Sequence, residues 1–170
     1  MNPEQAKFLA DFFANVLDQE YKTTAKVLAA VRDDTRDYKP DEKSRTAWEL
    51  ATHLATGDIW FIDSICDGAF VFDPDAEQKL SAGFKSVSDI VDFYNREFPK
   101  RVERIRSTPA EKMAQALDFF GVAQLPAANL LSVAVNHSVH HRGQLATYLR
   151  PMGSKVPSIY GGSADEPFNG

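Results

Sequence analysis

Apolar residues recur every three or four positions along four long segments of this sequence, and that spacing constrains the fold more than any other feature. The segments cover residues 3–31, 46–66, 86–108 and 125–150. Because side chains three and four residues apart share one face of an α-helix, each segment predicts an amphipathic helix. Four such helices can bury their apolar stripes against one another. The sequence therefore predicts an all-α fold, a four-helix bundle.

Local signals define the helix ends and the connections. Thr46 and Glu49 have the spacing of a capping box, in which each side chain bonds the other residue's backbone N–H. The roughly 20 residues between the second and third helices form a long linker. Pro99 predicts a kink or a short break in the third helix. Residues 117–122 indicate a short extended piece, and the Gly-, Pro- and Ser-rich tail 154–170 is expected to lie over the surface or fray.

Length and charge narrow the class of protein. A chain of 170 residues suits one domain over residues 1–170, large enough to bury a core without disulfides. The net charge of −5 disfavours nucleic acid as a partner, because phosphate binding needs clustered Lys and Arg. No apolar run approaches the roughly 20 residues of a spanning helix, so we expect no membrane association. Cys66 is the single cysteine, which favours a reducing, cytoplasmic location.

Three histidines on two predicted helices suggest a metal site. His137 and His141 lie four residues apart, so their rings share one helix face within the apolar stripe. His53, on the second helix, is the natural third ligand. Three neutral imidazoles suit zinc, nickel or ferrous iron, and they leave one position open for water or substrate. The alternative is a set of histidines held by structural hydrogen bonds, and spacing alone leaves both interpretations open.

Other polar residues carry weaker predictions. His140 points about 100° away from His141 around the helix and is expected at an interface or in a supporting contact. Glu20 is expected either to orient a ligand or to be solvated. Cys66 is expected to be inert, and Trp60 to belong to the core or to line a pocket. Three further side chains could contact an anionic ligand or simply stabilise a helix end, namely Arg142, Tyr148 and Arg150.

Two C-terminal motifs resemble the DinB/YfiT-like family of small bacterial bundle proteins. One runs from His137 to Gln144 and ends His-His-Arg-Gly-Gln. The other is Lys-Val-Pro-Ser-Ile-Tyr-Gly at residues 155–161. The segment Glu-Leu-Ala-Thr-His at residues 49–53 fits the second helix of the same family. The resemblance extends, helix by helix, over essentially the whole chain.

The resemblance implies a topology, a metal and a chemistry. The topology is up-down-down-up, with the long connection between helices two and three as the crossover. The metal is a divalent ion, zinc or nickel first and iron second, held by His53, His137 and His141. Family members are often homodimers, and characterised ones transfer a small thiol such as bacillithiol to an electrophile or use a thiol in isomerisation. We therefore expect a metal-dependent thiol S-transferase; a metal-activated hydrolase and a non-enzymatic metal-binding stress-response protein are the open alternatives.

Overall fold

Helices dominate residues 1–167, the part of the chain that the computed structural model describes. The prediction of a mainly helical fold is confirmed. The described residues also contain one small two-stranded sheet. The elements, in chain order, are α1 (Pro3–Ala29), a 3-10 turn (Asp33–Thr35), α2 (Ala47–Asp67), α3 (Pro74–Ser81), α4 (Val87–Ser107), α5 (Ala110–Ala114), β1 (Ala116–Phe119), β2 (Ala123–Pro126) and α6 (Ala127–Leu149).

Capping side chains set the ends of the two central helices. The predicted capping box of α2 is present: Glu49 N–H donates to Thr46 Oγ1 at 3.1 Å, and Thr46 N–H donates to Glu49 Oε2 at 2.8 Å. Ser86 and Asp89 make the same arrangement at the start of α4. Helix α2 ends at Gly68, whose φ of 90° lies in the left-handed region that glycine adopts without strain.

The connection between α2 and α4 differs from the predicted plain linker. It contains α3, which begins with Pro74 in the first helical turn. The Asp73 side chain caps this helix by accepting from the backbone N–H groups of Asp75 at 3.0 Å and Ala76 at 3.1 Å. An Asp-Pro pair is a helix-start signal, so the sequence did carry the information.

Helix α4 runs from Val87 to Ser107 without interruption, so of the kink or short break predicted at Pro99 the break is absent, and the kink stays a prediction. Proline removes the hydrogen bond to the carbonyl of Asn95, four residues earlier. Asn95 is exposed, where water can satisfy that carbonyl. Phe98 and Val102, three and seven residues after Asn95, are buried, and their packing stabilises the helix across the proline.

The extended piece predicted at residues 117–122 is confirmed as part of a β-hairpin. Strands β1 and β2 pair antiparallel, with Leu117 opposite Leu125. Their turn uses positive φ at Phe120 (53°) and Gly121 (70°). The short helix α5, which precedes the hairpin, was not predicted, because its five residues are too few for a periodic pattern.

The four long helices enclose one continuous core. Helix α1 packs against α4 and α6, and α2 packs against the same two helices. Large side chains from every long helix are fully buried there, among them Leu17, Leu54, Ile62, Phe98 and Leu130. Within residues 1–167, no helix combines the length and apolarity needed to cross a bilayer. The up-down-down-up order remains a prediction at this stage.

The tail lies against the surface over residues 154–167, as one of the two expected outcomes. The Ser154 hydroxyl donates to the backbone oxygen of Ala30 at 2.6 Å, and Pro157 is buried. Residues 168–170, for which the same prediction was made, lie outside the described part of the chain.

Candidate metal centre

Three histidine rings from two packed helices meet at one point. His53 projects from α2, and His137 and His141 project from successive turns of α6. Nε2 of His53 lies 3.2 Å from Nε2 of His141 and 3.4 Å from Nε2 of His137. One ligand atom from each ring lies within 4.8 Å of the other two. The structure thus brings together the histidines that the sequence singled out, and the group could hold a metal ion.

Hydrogen bonds fix which nitrogen two of the rings turn toward the centre. Nδ1 of His137 lies 2.9 Å from Oδ1 of Asp58, and Nδ1 of His141 lies 2.8 Å from Oε1 of Gln144. A carboxylate or amide oxygen accepts, so each Nδ1 carries the proton of its neutral ring. Each Nε2 then presents a lone pair, which is the form of imidazole that binds a metal.

The Nε2 separations fit a tetrahedral cation. Zinc binds imidazole nitrogen at about 2.0–2.1 Å, so two ligands at the tetrahedral angle lie about 3.3–3.4 Å apart. The observed separations from His53 are 3.2 Å and 3.4 Å. Hydrogen bonding could explain only one of these two short separations. If His53 carried its proton on Nε2, that single N–H could point at one neighbouring Nε2 but not at both. A shared cation accounts for both distances, and the three-imidazole donor set suits zinc or nickel.

Burial favours the neutral form of the His53 and His141 rings. It lowers the pKa of His53 to about 3, with smaller contributions from the positive charge of Arg45 and from the two neighbouring histidines. Burial also lowers the pKa of His141, against an opposing hydrogen bond to Gln144. A neutral imidazole has the free lone pair that coordination needs. The surroundings therefore keep His53 neutral, and so able to bind a metal, well below neutral pH, and they shift His141 in the same direction.

Asp58 supports the centre from within the core. Its side chain is 1% exposed and accepts twice, from His137 Nδ1 at 2.9 Å and from the Tyr94 hydroxyl at 2.8 Å. Burial raises the pKa of Tyr94 well above its usual range, so that hydroxyl stays protonated and donates. The sequence analysis missed Asp58, although it replaces an apolar residue in the α2 stripe between Leu54 and Ile62.

Gly57 makes room for the His137 ring. A Cβ atom at this position would lie 2.8 Å from Cε1 and 3.1 Å from Nε2 of His137. Separations under 3.0 Å are closer than packed carbon atoms tolerate, so any side chain here would push the ring away. The sequence signal was an isolated glycine inside a helical pattern, which often marks a close approach.

Arg142 and Glu20 form an internal ion pair, in place of the roles predicted for them. Arg142 is 1% exposed and Glu20 is 15% exposed, with 2.5 Å between Nη1 and Oε2. Nη2 of Arg142 donates to the Tyr160 hydroxyl, which in turn donates to Glu20 Oε2 at 2.9 Å. Glu20 is therefore neither solvated nor directed at a ligand, and Arg142 is not a helix-end charge. The pair instead ties the tail to α1 and α6.

Four other candidates do not belong to the three-histidine group. His140 is exposed, with its ring centroid 4.9 Å from that of His141. Cys66 is buried, and burial raises the pKa of its thiol, in agreement with the predicted inertness. Arg150 pairs with Asp165, and Tyr148 packs edge-on against Tyr38.

Sequence comparison places the chain in a family that shares this architecture. The DinB family model matches residues 5–167. The chain belongs to the DinB family. YrdA of Bacillus subtilis (strain 168), described as uncharacterized, is 28% identical over 160 residues, covering 92% of this chain and 90% of YrdA. The resemblance drawn from the C-terminal motifs is thereby confirmed.

Solved structures extend the comparison. A DinB-like protein from Bacillus cereus ATCC 10987 superposes with a TM-score of 0.71 at 26% identity, covering 87% of this chain and 95% of the other. A mycothiol-dependent maleylpyruvate isomerase superposes with a TM-score of 0.52 at 10% identity, covering 91% of this chain and 62% of the isomerase. At that identity the likeness concerns the fold alone.

Proposed function

We propose that this DinB-family protein is a metal-dependent thiol S-transferase. In this proposal His53, His137 and His141 bind one zinc or nickel ion, with iron as the less favoured metal. The observation that carries the proposal is the convergence of three Nε2 atoms, with those of His141 and His137 at 3.2 Å and 3.4 Å from that of His53. Three protein ligands leave a position for a substrate atom, as in catalytic rather than structural zinc sites.

A bound divalent ion supplies Lewis acidity that favours the thiolate form of a small thiol. The chain's own residues provide placement. Asp58 and Gln144 hold two rings in the coordinating tautomer, and Gly57 leaves the space that the His137 ring occupies. Partly buried rings keep bulk water from competing for the site.

The proposed transfer is a nucleophilic substitution. The thiolate sulfur attacks an electrophilic carbon and forms a C–S bond, while the leaving group departs with the electron pair of the bond that breaks. The thiol proton passes to the buffer. Oxidation states are unchanged in sum, so no further reactant is needed. The small thiol and the electrophile are thus the proposed partners.

Two observations favour thiol transfer over metal-activated hydrolysis. Asp58, the carboxylate bonded to His137, is buried and already accepts two hydrogen bonds. It is therefore engaged in positioning rather than available as a general base for water. The fold is also shared with a mycothiol-dependent isomerase, so thiol-dependent chemistry is known on this architecture. This second support is an analogy of fold.

The proposal is tested by conjugation of monobromobimane, whose leaving group is bromide, with bacillithiol or glutathione. Tag-free protein loaded with zinc or nickel is expected to accelerate conjugation, and His141→Gln is expected to abolish the acceleration. His140→Gln, one residue away and exposed, is the matched control and should retain it. Equal rates for the wild type and His141→Gln, or no acceleration with either thiol, would overturn the proposal.

We also infer the up-down-down-up order of the long helices. Contacts advance in the same direction along α2 and α4, from Asp58–Tyr94 to Asp67–Arg104. Along α1 and α4 they advance in opposite directions, from Tyr21–Asn95 to Asn15–Arg106. This is the order expected when the connection containing α3 is a crossover. A homodimer in the cytoplasm remains part of the proposal.

A further inference from the structure

A cavity of about 470 Å³ lies beside the histidine centre. His53 and Gly57 of α2 and His137 of α6 line it. Helices α4 and α3 supply the other walls, through residues such as Phe93 and Ala76. Sites for small organic ligands typically enclose about 300–1,000 Å³. The cavity therefore has the volume for one such molecule beside the triad.

Its walls are largely apolar and aromatic. Trp60, Phe72 and Phe93 contribute rings, and Ile59 and Leu80 contribute aliphatic surface. The indole N–H of Trp60 is already used, since it donates to the backbone oxygen of Val71 at 2.9 Å. What Trp60 offers an occupant is therefore its ring surface, which favours stacking with a planar apolar group.

The charged residues of the wall disfavour an anion. Four are carboxylates, Asp63, Asp73, Glu77 and Glu97, and one is a guanidinium, Arg101. Arg101 is already paired, with Nη2 3.0 Å from Asp63 Oδ2 and Nη1 2.5 Å from Glu97 Oε2. Hydrogen bonds from neighbouring basic side chains lower the pKa of Glu97 to about 2, so its charge persists. Because Asp63 and Glu97 already neutralise Arg101, an anionic occupant would gain little from it and would meet the further carboxylates of Asp73 and Glu77.

We propose that this cavity binds the electrophile of the transfer reaction, and that this electrophile is an uncharged aromatic molecule. That the occupant is the electrophile rests on the proposed function. That the cavity selects an uncharged aromatic molecule rests on the cavity alone. Helix α3 covers the occupant, since Ala76, Glu77 and Leu80 on this helix line the cavity.

Two fluorescent probes with the same skeleton test the selectivity. N-phenylnaphthylamine is uncharged, and anilinonaphthalene sulfonate adds one negative charge. The metal-free full chain is expected to bind the uncharged probe at one site and at least about tenfold more tightly than the sulfonate, a difference of about 1.4 kcal/mol. Equal affinities, or preference for the sulfonate, would overturn the proposal.

Variants on α3 locate the probe. Ala76→Phe, which fills the cavity, is expected to weaken binding of the uncharged probe at least about tenfold. Gln78→Phe, on the same helix but outside the cavity wall, is the control and should not. A second pair of variants tests the effect of charge. Glu77→Lys is expected to raise the affinity for the sulfonate more than Asp75→Lys does. Asp75→Lys changes the net charge by the same amount but lies outside the cavity wall. Equal effects within either pair would contradict the assigned site.

Repeating the titrations beside a zinc-binding measurement separates this inference from the proposed function. If the chain selects the uncharged probe but takes up no zinc, the cavity assignment stands and the proposed transferase function is overturned. Zinc uptake without probe selectivity would overturn the cavity assignment alone.

Discussion

The Nδ1 atom of His137 lies 2.9 Å from Oδ1 of Asp58, a carboxylate that also accepts from the Tyr94 hydroxyl. A carboxylate so placed accepts a hydrogen bond from Nδ1–H and holds Nε2 toward the other two histidines. The same contact links the centre to α4, because Tyr94 lies on that helix. Ligand orientation and helix packing therefore depend on one buried side chain.

Asp58→Asn should weaken zinc binding about 10–100-fold, the range measured when such supporting groups are removed. The amide keeps the volume but presents an NH₂ group to one of two donors, which also lowers the free energy of unfolding by about 1–3 kcal/mol. Competition with a chromophoric chelator measures the affinity. Asp67→Asn, an exposed position at the end of α2, is the control. Unchanged affinity in Asp58→Asn would show that His137 needs no such partner.

Gly57→Ala should weaken zinc binding about tenfold or more, because the new methyl group would lie 2.8 Å from the His137 ring. Alanine is otherwise the better helix former by about 1 kcal/mol. Gly143→Ala is a matched control within α6, since a Cβ there meets nothing within 4 Å. We expect Gly143→Ala to bind zinc normally. Titration calorimetry on both variants checks this, and equal affinities would refute the proposed spatial role of Gly57.

Arg142→Met should destabilise the metal-free protein by about 3 kcal/mol, the lower end of the range for breaking a buried ion pair. The lower end applies because Glu20 keeps 15% exposure. Tyr160→Phe removes one hydroxyl from the same network and should cost about 0.5–1.5 kcal/mol. Arg150→Met, at an exposed pair, should cost at most about 1 kcal/mol. Urea denaturation gives all three values, and the reverse ranking would contradict this interpretation of the network.

The pKa of His53, about 3 against an ordinary 6.5, predicts loss of stability in acid. The unfolded chain protonates this ring near pH 6.5, whereas the folded chain keeps it neutral down to about pH 3. The free energy of unfolding of the metal-free protein therefore falls as the pH drops through this interval. His53→Gln should flatten the decline between about pH 6.5 and about pH 5, above the range in which carboxylates titrate.

Thermal melts at several pH values measure that slope. His140→Gln, at an exposed position, is the control for replacing a histidine. Identical slopes for the wild type and His53→Gln would show that the ring is protonated equally in the folded and unfolded chains.

The four long helices were predictable because each repeats its apolar spacing over 21 residues or more. Helices α3 and α5 have 8 and 5 residues and give no such repeat. The short break allowed at Pro99 is absent for another reason: the burial of Phe98 and Val102 outweighs the local effect of the proline. Local sequence signals thus predicted the long helices well, but they did not predict the short helices or the continuity of α4 at Pro99.

At the centre, the sequence predicted the three rings but not their supports. His137 and His141 were predicted as ligands from their spacing of four residues, and His53 from its position on another predicted helix. Gly57 and Asp58 contact His137 across the interface between α2 and α6. A contact between two helices leaves no periodic pattern in the sequence of either one. The pairing of Glu20 with Arg142 likewise joins residues 122 positions apart.

The most direct test of the central claim is zinc K-edge X-ray absorption on tag-free protein loaded with one equivalent of zinc. We predict a first shell containing three imidazole nitrogens at about 2.0–2.1 Å, with one imidazole lost in each of His53→Gln, His137→Gln and His141→Gln. A shell containing sulfur, a shell unchanged by these substitutions, or zinc that is not retained would contradict the three-histidine centre.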